Sequence, residues 1–110
     1  MPACPVAAAL TILNNPWKFL IVRSLSEGPL RFGELKTRVT GISPKVLSGA
    51  LTDLQEAGIL SRTVLPSSPP RAEYALTGLG REFLPVIGAL ARFGMAYKAR
   101  FPEPEKKEEA

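Results

Sequence analysis

Residues 41 to 58, Gly-Ile-Ser-Pro-Lys-Val-Leu-Ser-Gly-Ala-Leu-Thr-Asp-Leu-Gln-Glu-Ala-Gly, read as one helix with chemical signals at both ends. Ser43 can cap it, because its hydroxyl oxygen accepts a bond from a first-turn N–H that has no partner inside the helix. Pro44 suits the first helical position, where a missing N–H costs nothing and the ring fixes a helical φ. Gly58 supplies the left-handed stop. Helical spacing puts Leu47, Leu51 and Leu54 on one face and Lys45, Ser48, Gly49 and Thr52 on the opposite one. The first face is a core stripe. The second is small, polar or cationic and fits a groove without steric conflict.

The rest of the chain places this helix in a recognisable order. Val6, Leu10 and Leu13 recur at helical spacing, and Asn15 and Pro16 can cap and open a second helix whose apolar face is Trp17, Leu20, Ile21 and Leu25, ended by Gly28-Pro29. Phe32, Leu35 and Val39 mark a shorter third helix. A tight connection, Thr40-Gly41-Ile42, leads from it into the Ser43 helix, and a short glycine-containing turn between two helices is the helix-turn-helix pattern. Ile59 to Leu65 and Ala72 to Leu76 read as a hairpin around the stiff loop Pro66 to Pro70. Thr77 can cap a last helix with Leu79, Phe83, Val86, Ile87, Leu90 and Tyr97 on its apolar face, and Pro85 inside that helix predicts a kink. Trp17, Phe32, Leu35 and Tyr74 are expected in the core.

The chain has 110 residues, 45% of them apolar, which suits one small domain, expected over residues 1–101, with a charged, disordered tail over 102–110. From Glu103 onward the tail holds four of the ten acids and two of the fourteen bases, so residues 1–102 carry twelve bases against six acids. A basic body favours a polyanionic partner. Cys4 is the single cysteine, so no disulfide within the chain and no cysteine cluster for a metal is expected, and a reducing cytoplasm fits. No secretory pattern opens the chain, and charges interrupt every apolar run before the ~18 residues of a membrane span. No cofactor is implied.

Helix, helix, helix-turn-helix, hairpin, helix is the order of a winged helix-turn-helix domain, an α+β and mainly helical fold with a two- or three-stranded wing sheet. The residues resemble the HxlR-type bacterial transcriptional regulators. The resemblance is carried by Cys4-Pro5-Val6, Trp17-Lys18, Arg31-Phe32-Gly33-Glu34-Leu35, Gly41 through Leu47, and Pro69 through Thr77 with Leu79-Gly80, covering nearly all of residues 4 to 97. It implies a homodimer, built from the first and last helices, that places two recognition helices in successive major grooves of double-stranded DNA. It also exposes departures. Many relatives carry Gln-Arg and then another basic residue where this chain has Gly49-Ala50 and Thr52, which removes long side chains able to reach bases or phosphates. Gly49 in addition costs roughly 1 kcal/mol of helix stability against alanine. Gly78 replaces an acid that would favour a helix N-terminus.

Within that frame the candidate DNA-binding residues are Lys45, Ser43, Ser48, Thr52, Arg31, Lys36, Arg38, Arg62 and Arg71. Lys45 projects from the first turn of the recognition helix, where bases and flanking phosphates are in reach. Ser43 serves first as a cap, although a capped helix N-terminus can still face a phosphate. Arg31, Lys36 and Arg38 surround the first helix of the pair and fit backbone contacts that set register. Arg71, on the stiff wing 66–71, suits phosphate or the minor groove, and Arg62 stands on the adjoining strand, with pairing to Glu73 as the alternative for either. Cys4 opens a helix whose free N–H groups favour a thiolate. The resemblance makes it a candidate sensor of oxidants or electrophiles, against the alternative of a buried small hydrophobe.

Three functional classes compete. A dimeric, sequence-specific DNA-binding regulator fits best. A winged-helix protein-interaction module without specific DNA binding is the alternative, since the same fold serves as a protein-binding surface. An enzyme fits poorly: the chain has no histidine, no glycine-rich phosphate loop and no paired carboxylate motif.

Overall fold

The structure, a computed structural model, describes residues 3–103. Its elements in order are α1 (Pro5–Ile12), α2 (Pro16–Ser24) running into a 3-10 turn at Leu25–Glu27, β1 (Leu30–Arg31), α3 (Phe32–Arg38), α4 (Pro44–Glu56), β2 (Leu60–Leu65), β3 (Arg71–Leu76), α5 (Gly78–Arg81) and α6 (Leu84–Arg100). This is the winged helix-turn-helix order, with three strands in the wing sheet. The charged segment 104–110 lies outside the described residues.

The signals at α4 operate as local chemistry dictates. The Ser43 hydroxyl accepts the Val46 N–H at 3.1 Å. At the other end Gly58 takes φ 81°, the Gly58 N–H donates to Gln55 at 3.0 Å, and the Ile59 N–H reaches back to Leu54 at 2.9 Å. These two bonds satisfy the last carbonyls of the helix in a Schellman arrangement. Asn15 caps α2 in the same manner as Ser43, accepting the Lys18 N–H at 3.1 Å, and Gly41, at φ 88°, turns the chain between α3 and α4.

Strand β3 lies between the other two and pairs antiparallel with both, Leu30 opposite Tyr74 on one edge and Leu60 opposite Leu76 through Leu65 opposite Arg71 on the other. Arg71 is thus the first residue of a strand, one residue earlier than the sequence pattern indicated. The core gathers Ile21, Val22 and Leu25 from α2, Leu35 from α3, Leu47, Ala50, Leu51 and Leu54 from α4, and Ile59, Leu60, Tyr74 and Leu76 around the sheet. Each fully buried leucine or isoleucine contributes about 1.5–3 kcal/mol of transfer free energy. Leu35 and Tyr74 are buried as expected, whereas Trp17 and Phe32 are half-buried and pack against the core from its margin.

One expectation is corrected. Pro85 does not kink a continuous last helix; the chain breaks before it and restarts. Proline offers no N–H and its ring crowds the carbonyl four residues earlier, here Arg81. The Thr77-capped α5 therefore stops at Arg81, Glu82 and Phe83 close short bonds to Leu79 and Gly80, and Pro85 sits in the first turn of α6, where it is tolerated. The outer helices meet the core only at its margin, through Ile12 of α1 and Leu84 and Ile87 of α6, and leave the rest of their apolar faces uncovered, as expected for a last helix with more apolar surface than one small core can cover. Neither α1 nor α6 contains a single buried residue.

Candidate nucleic-acid interface

Helix α4 is seated on its core face and tied along one flank, while its other flank borders a cleft. Its leucine face and Ala50 pack into the core. On one flank Asp53 lies 3.1 Å from the Lys18 ammonium of α2. On the other, Ser48, Thr52, Gln55 and Glu56 line a cleft of about 400 Å³ that Arg62 and Tyr74 close from the sheet. Lys45, Ser48, Gly49 and Thr52 remain exposed, as do Val46, Asp53 and Glu56, so the outward strip carries one lysine among small and hydroxylated side chains, with Glu56 at its C-terminal end. Ala50 is only 6% exposed. Of the two departures after Ser48, Gly49 is therefore the one that stands on the outward surface.

The remaining cations frame that strip. Lys36 and Arg38 are exposed in the last turn of α3, where they also complement the partial negative charge of the helix C-terminus. Arg31 is exposed at the start of α3, its N–H donating to Glu34 at 2.8 Å. Its guanidinium lies 3.9 Å from the same carboxylate, a solvent-screened pair that leaves it available to another anion. Arg62 and Arg71 are exposed on β2 and β3. Glu73 stands opposite Thr63 and Arg31 rather than either of them, and among the described residues the ion pairs within 4.0 Å are Lys18–Asp53 and Arg31–Glu34. All nine candidate residues therefore sit at the surface, in three groups: the outward strip of α4 with its cap, the end and start of α3, and the wing strands.

Cys4 is exposed at the cap position of α1 and makes no capping bond through its side chain, which removes the buried-hydrophobe alternative for the single chain. Among the described residues no cluster of histidine, cysteine, aspartate or glutamate could hold a metal ion, and no helix is long and apolar enough to cross a membrane.

The sequence pattern missed Lys18 and Asp53. Lys18 is the one buried charged residue among those described, at 5% exposure. It donates to Asn14 Oδ1 at 3.0 Å besides meeting Asp53. A signal was present: Lys18, Ile21, Val22 and Leu25 share the i, i+3, i+4, i+7 stripe that defines a core face. Gln55 and Glu56 in the cleft were missed as well, since neither carries the cationic or small character expected of a DNA-facing position.

A family model described as HxlR-like helix-turn-helix matches residues 12–101. The HTH-type transcriptional regulator sll1512 of Synechocystis sp. PCC 6803 is 41% identical over 91 residues, covering 83% of this chain and 67% of its own. Among solved structures, the redox regulator HypR in its oxidized form superposes with a TM-score of 0.79 at 30% identity, covering 84% of this chain and 96% of HypR. The reduced form of the transcriptional regulator YodB from Bacillus subtilis gives a TM-score of 0.71 at 32% identity, with 96% of this chain and all of YodB covered. The chain belongs to the HxlR-like helix-turn-helix family of transcriptional regulators.

Proposed function

We propose that this protein is a dimeric, sequence-specific DNA-binding transcriptional regulator acting in the cytoplasm, with α4 in the major groove and the wing on the backbone or minor groove. The observation that carries the reading is the outward strip of α4: a capped helix, seated on the core by its leucine face and tied to α2 along one flank, presents Lys45, Ser48 and Thr52 exposed to solvent. In this reading Lys45, Ser48 and Thr52 meet bases or flanking phosphates, Ser43 directs the helix N-terminus at a phosphate, Arg31, Lys36 and Arg38 hold backbone, and Arg62 and Arg71 track the duplex from the wing. No enzymatic chemistry is assigned to the chain.

Dimerisation through α1 and α6 is supported by what those helices leave uncovered. Val6 and Leu10 on α1 and Val86, Leu90, Phe93, Met95 and Tyr97 on α6 are all exposed in the single chain, Phe93 and Met95 at 69% and 72%. An apolar surface of this kind needs a partner. A two-fold arrangement would space the half-sites roughly 34–36 Å along the duplex. Cys4 opens the same α1, and HypR is described as a redox regulator, which supports a thiol response transmitted through the dimer.

The test is the salt dependence of duplex binding. With ~6–10 phosphate contacts per dimer, affinity should fall roughly 10³- to 10⁵-fold between 50 and 200 mM salt as condensed counterions are displaced. A flat response in a filter-binding titration would favour the protein-interaction module instead.

A further inference from the structure

Among the described residues the core encloses one charged group, and its placement bears on how α4 meets DNA, a role that rests on the DNA-binding reading above. Lys18 occupies the inward stripe of α2 with its side chain 6% exposed. Its Nζ donates to Asn14 Oδ1 at 3.0 Å and meets Asp53 Oδ2 at 3.1 Å. Asn14 belongs to the turn between α1 and α2, and its neighbour Asn15 both caps α2 and donates to Asn14 Oδ1 at 3.4 Å. Asp53 stands on α4, 59% exposed at its side chain, on the flank between the core face and the outward strip.

An apolar side chain at 18 would fill the same space without stripping water from an ammonium, so packing alone does not account for lysine. What lysine adds is direction. Its charge is held between two acceptors on different elements, one in the turn below α1 and one on the recognition helix. A rotation of α4 about its own axis would swing Asp53 away from Nζ, and a movement of the turn would carry Nζ with Asn14. We propose that Lys18 is a positioning residue for DNA recognition: it sets the rotation of α4 relative to the α1–α2 turn, so that the attitude of α1 governs which strip of α4 faces the groove. Base-edge hydrogen bonds depend on that rotation because their geometry is narrow. Phosphate contacts from Lys36, Arg38 and Arg71 come from other elements and do not.

Lys18→Met keeps an unbranched stem and removes the charge; Asp53→Ala removes the partner at an exposed site. Each variant and the double variant are titrated with the preferred duplex and with a scrambled one at a single salt concentration, with thermal unfolding measured alongside. The expected result is a drop of about five- to tenfold in the ratio of specific to non-specific affinity for each single variant, comparable to one base contact. Scrambled-duplex affinity should stay near wild type, and the double variant should lose no more than the worse single one, since both remove the same link. Unchanged ratios in folded Lys18→Met and Asp53→Ala, even with a lowered melting temperature, would make Lys18 purely structural. If Lys18→Met does not fold, Asp53→Ala alone decides by the same ratio. A wild-type protein that binds no duplex overturns the DNA reading and this inference together; wild-type binding with unchanged ratios overturns only this inference.

Discussion

Gly80 lies against the main chain of Ile59 so closely that a β-carbon on it would fall 2.3 Å from the Ile59 carbonyl oxygen. The approach is imposed by one junction that ends α4 and starts α5. The Thr77 N–H donates to the Ile59 carbonyl at 3.0 Å, the Thr77 hydroxyl lies 2.6 Å from the Gly58 carbonyl, and the Gly80 N–H donates to that hydroxyl at 3.0 Å. Thr77 thereby ties the stop of the recognition helix to the cap of the C-terminal helices.

Gly80→Ala should consequently destabilise the fold by about 1–3 kcal/mol, because the atom it would strike is backbone and cannot swing aside. For a domain of this size that is a fall in Tm of roughly 4–8 °C per kcal/mol. Gly49 is the opposite case: a β-carbon there meets nothing within 4 Å and no positive φ protects it. Gly49→Ala should gain about 0.5–1 kcal/mol through the reduced entropy loss of a helical alanine. Thermal unfolding of the two variants, one lower and one higher than wild type, checks both; equal shifts would sink the account of the Ile59 junction.

Lys45→Ala and Arg71→Ala should separate reading from holding. Lys45 stands on the first turn of α4 and Arg71 on the wing, both exposed. Loss of Lys45 should weaken the preferred site and, where the lysine meets a base edge, relax preference at one position by about 1–3 kcal/mol. Loss of Arg71 should weaken all duplexes alike and lower the salt slope by about one for each phosphate the arginine neutralises. A binding-site selection repeated with each variant gives the comparison, and two variants that bind like wild type would remove this docking surface.

Phe93→Glu should convert the protein to a monomer. Phe93 begins an exposed aromatic row at helical spacing on α6, its ring 6.5 Å from Tyr97, which is in turn 5.1 Å from Phe101. A carboxylate there leaves the single chain intact because nothing in it covers the site, but a dimer would have to bury the charge. Sedimentation at micromolar concentration should show the wild type as a dimer and the variant at half its mass; a monomeric wild type would count against the α1 and α6 interface.

Local chemistry made the recognition unit legible in the sequence. Ser43, Pro44 and Gly58 act on backbone groups within a few residues of themselves, and the turn at Gly41 needs only its own φ, so neither depends on how the rest of the chain packs. What escaped depends on distant partners. Lys18 breaks a hydrophobic stripe and reads as an outward lysine until Asp53 and Asn14 arrive beside it. Trp17 and Leu20 looked like the inner face of α2, yet Lys18, Ile21 and Val22 are the buried ones, because a broad apolar surface does not reveal its own centre. The long apolar face of α6, by contrast, already exceeded in the sequence what one small core can cover, and Phe93 and Tyr97 are exposed in the single chain.

Cys4 should couple an electrophile to release of DNA. It is exposed at the start of α1, beside Val6 and the other residues assigned to the dimer. A small quinone added to its sulfur, or a disulfide to the partner's Cys4 formed by an oxidant such as diamide, which takes up the two electrons and two protons of the thiols, would therefore change the packing of a helix proposed to set the angle between subunits. Modification works as a switch only by favouring the non-binding arrangement, and reversing a 99:1 population takes about 5.5 kcal/mol of such preference. A weaker bias would reduce apparent affinity without abolishing it. After complete alkylation, the preferred duplex should bind less tightly to wild type and unchanged to Cys4→Ser treated in parallel. Equal binding by modified and unmodified wild type would leave Cys4 a structural residue and direct attention to a non-covalent effector.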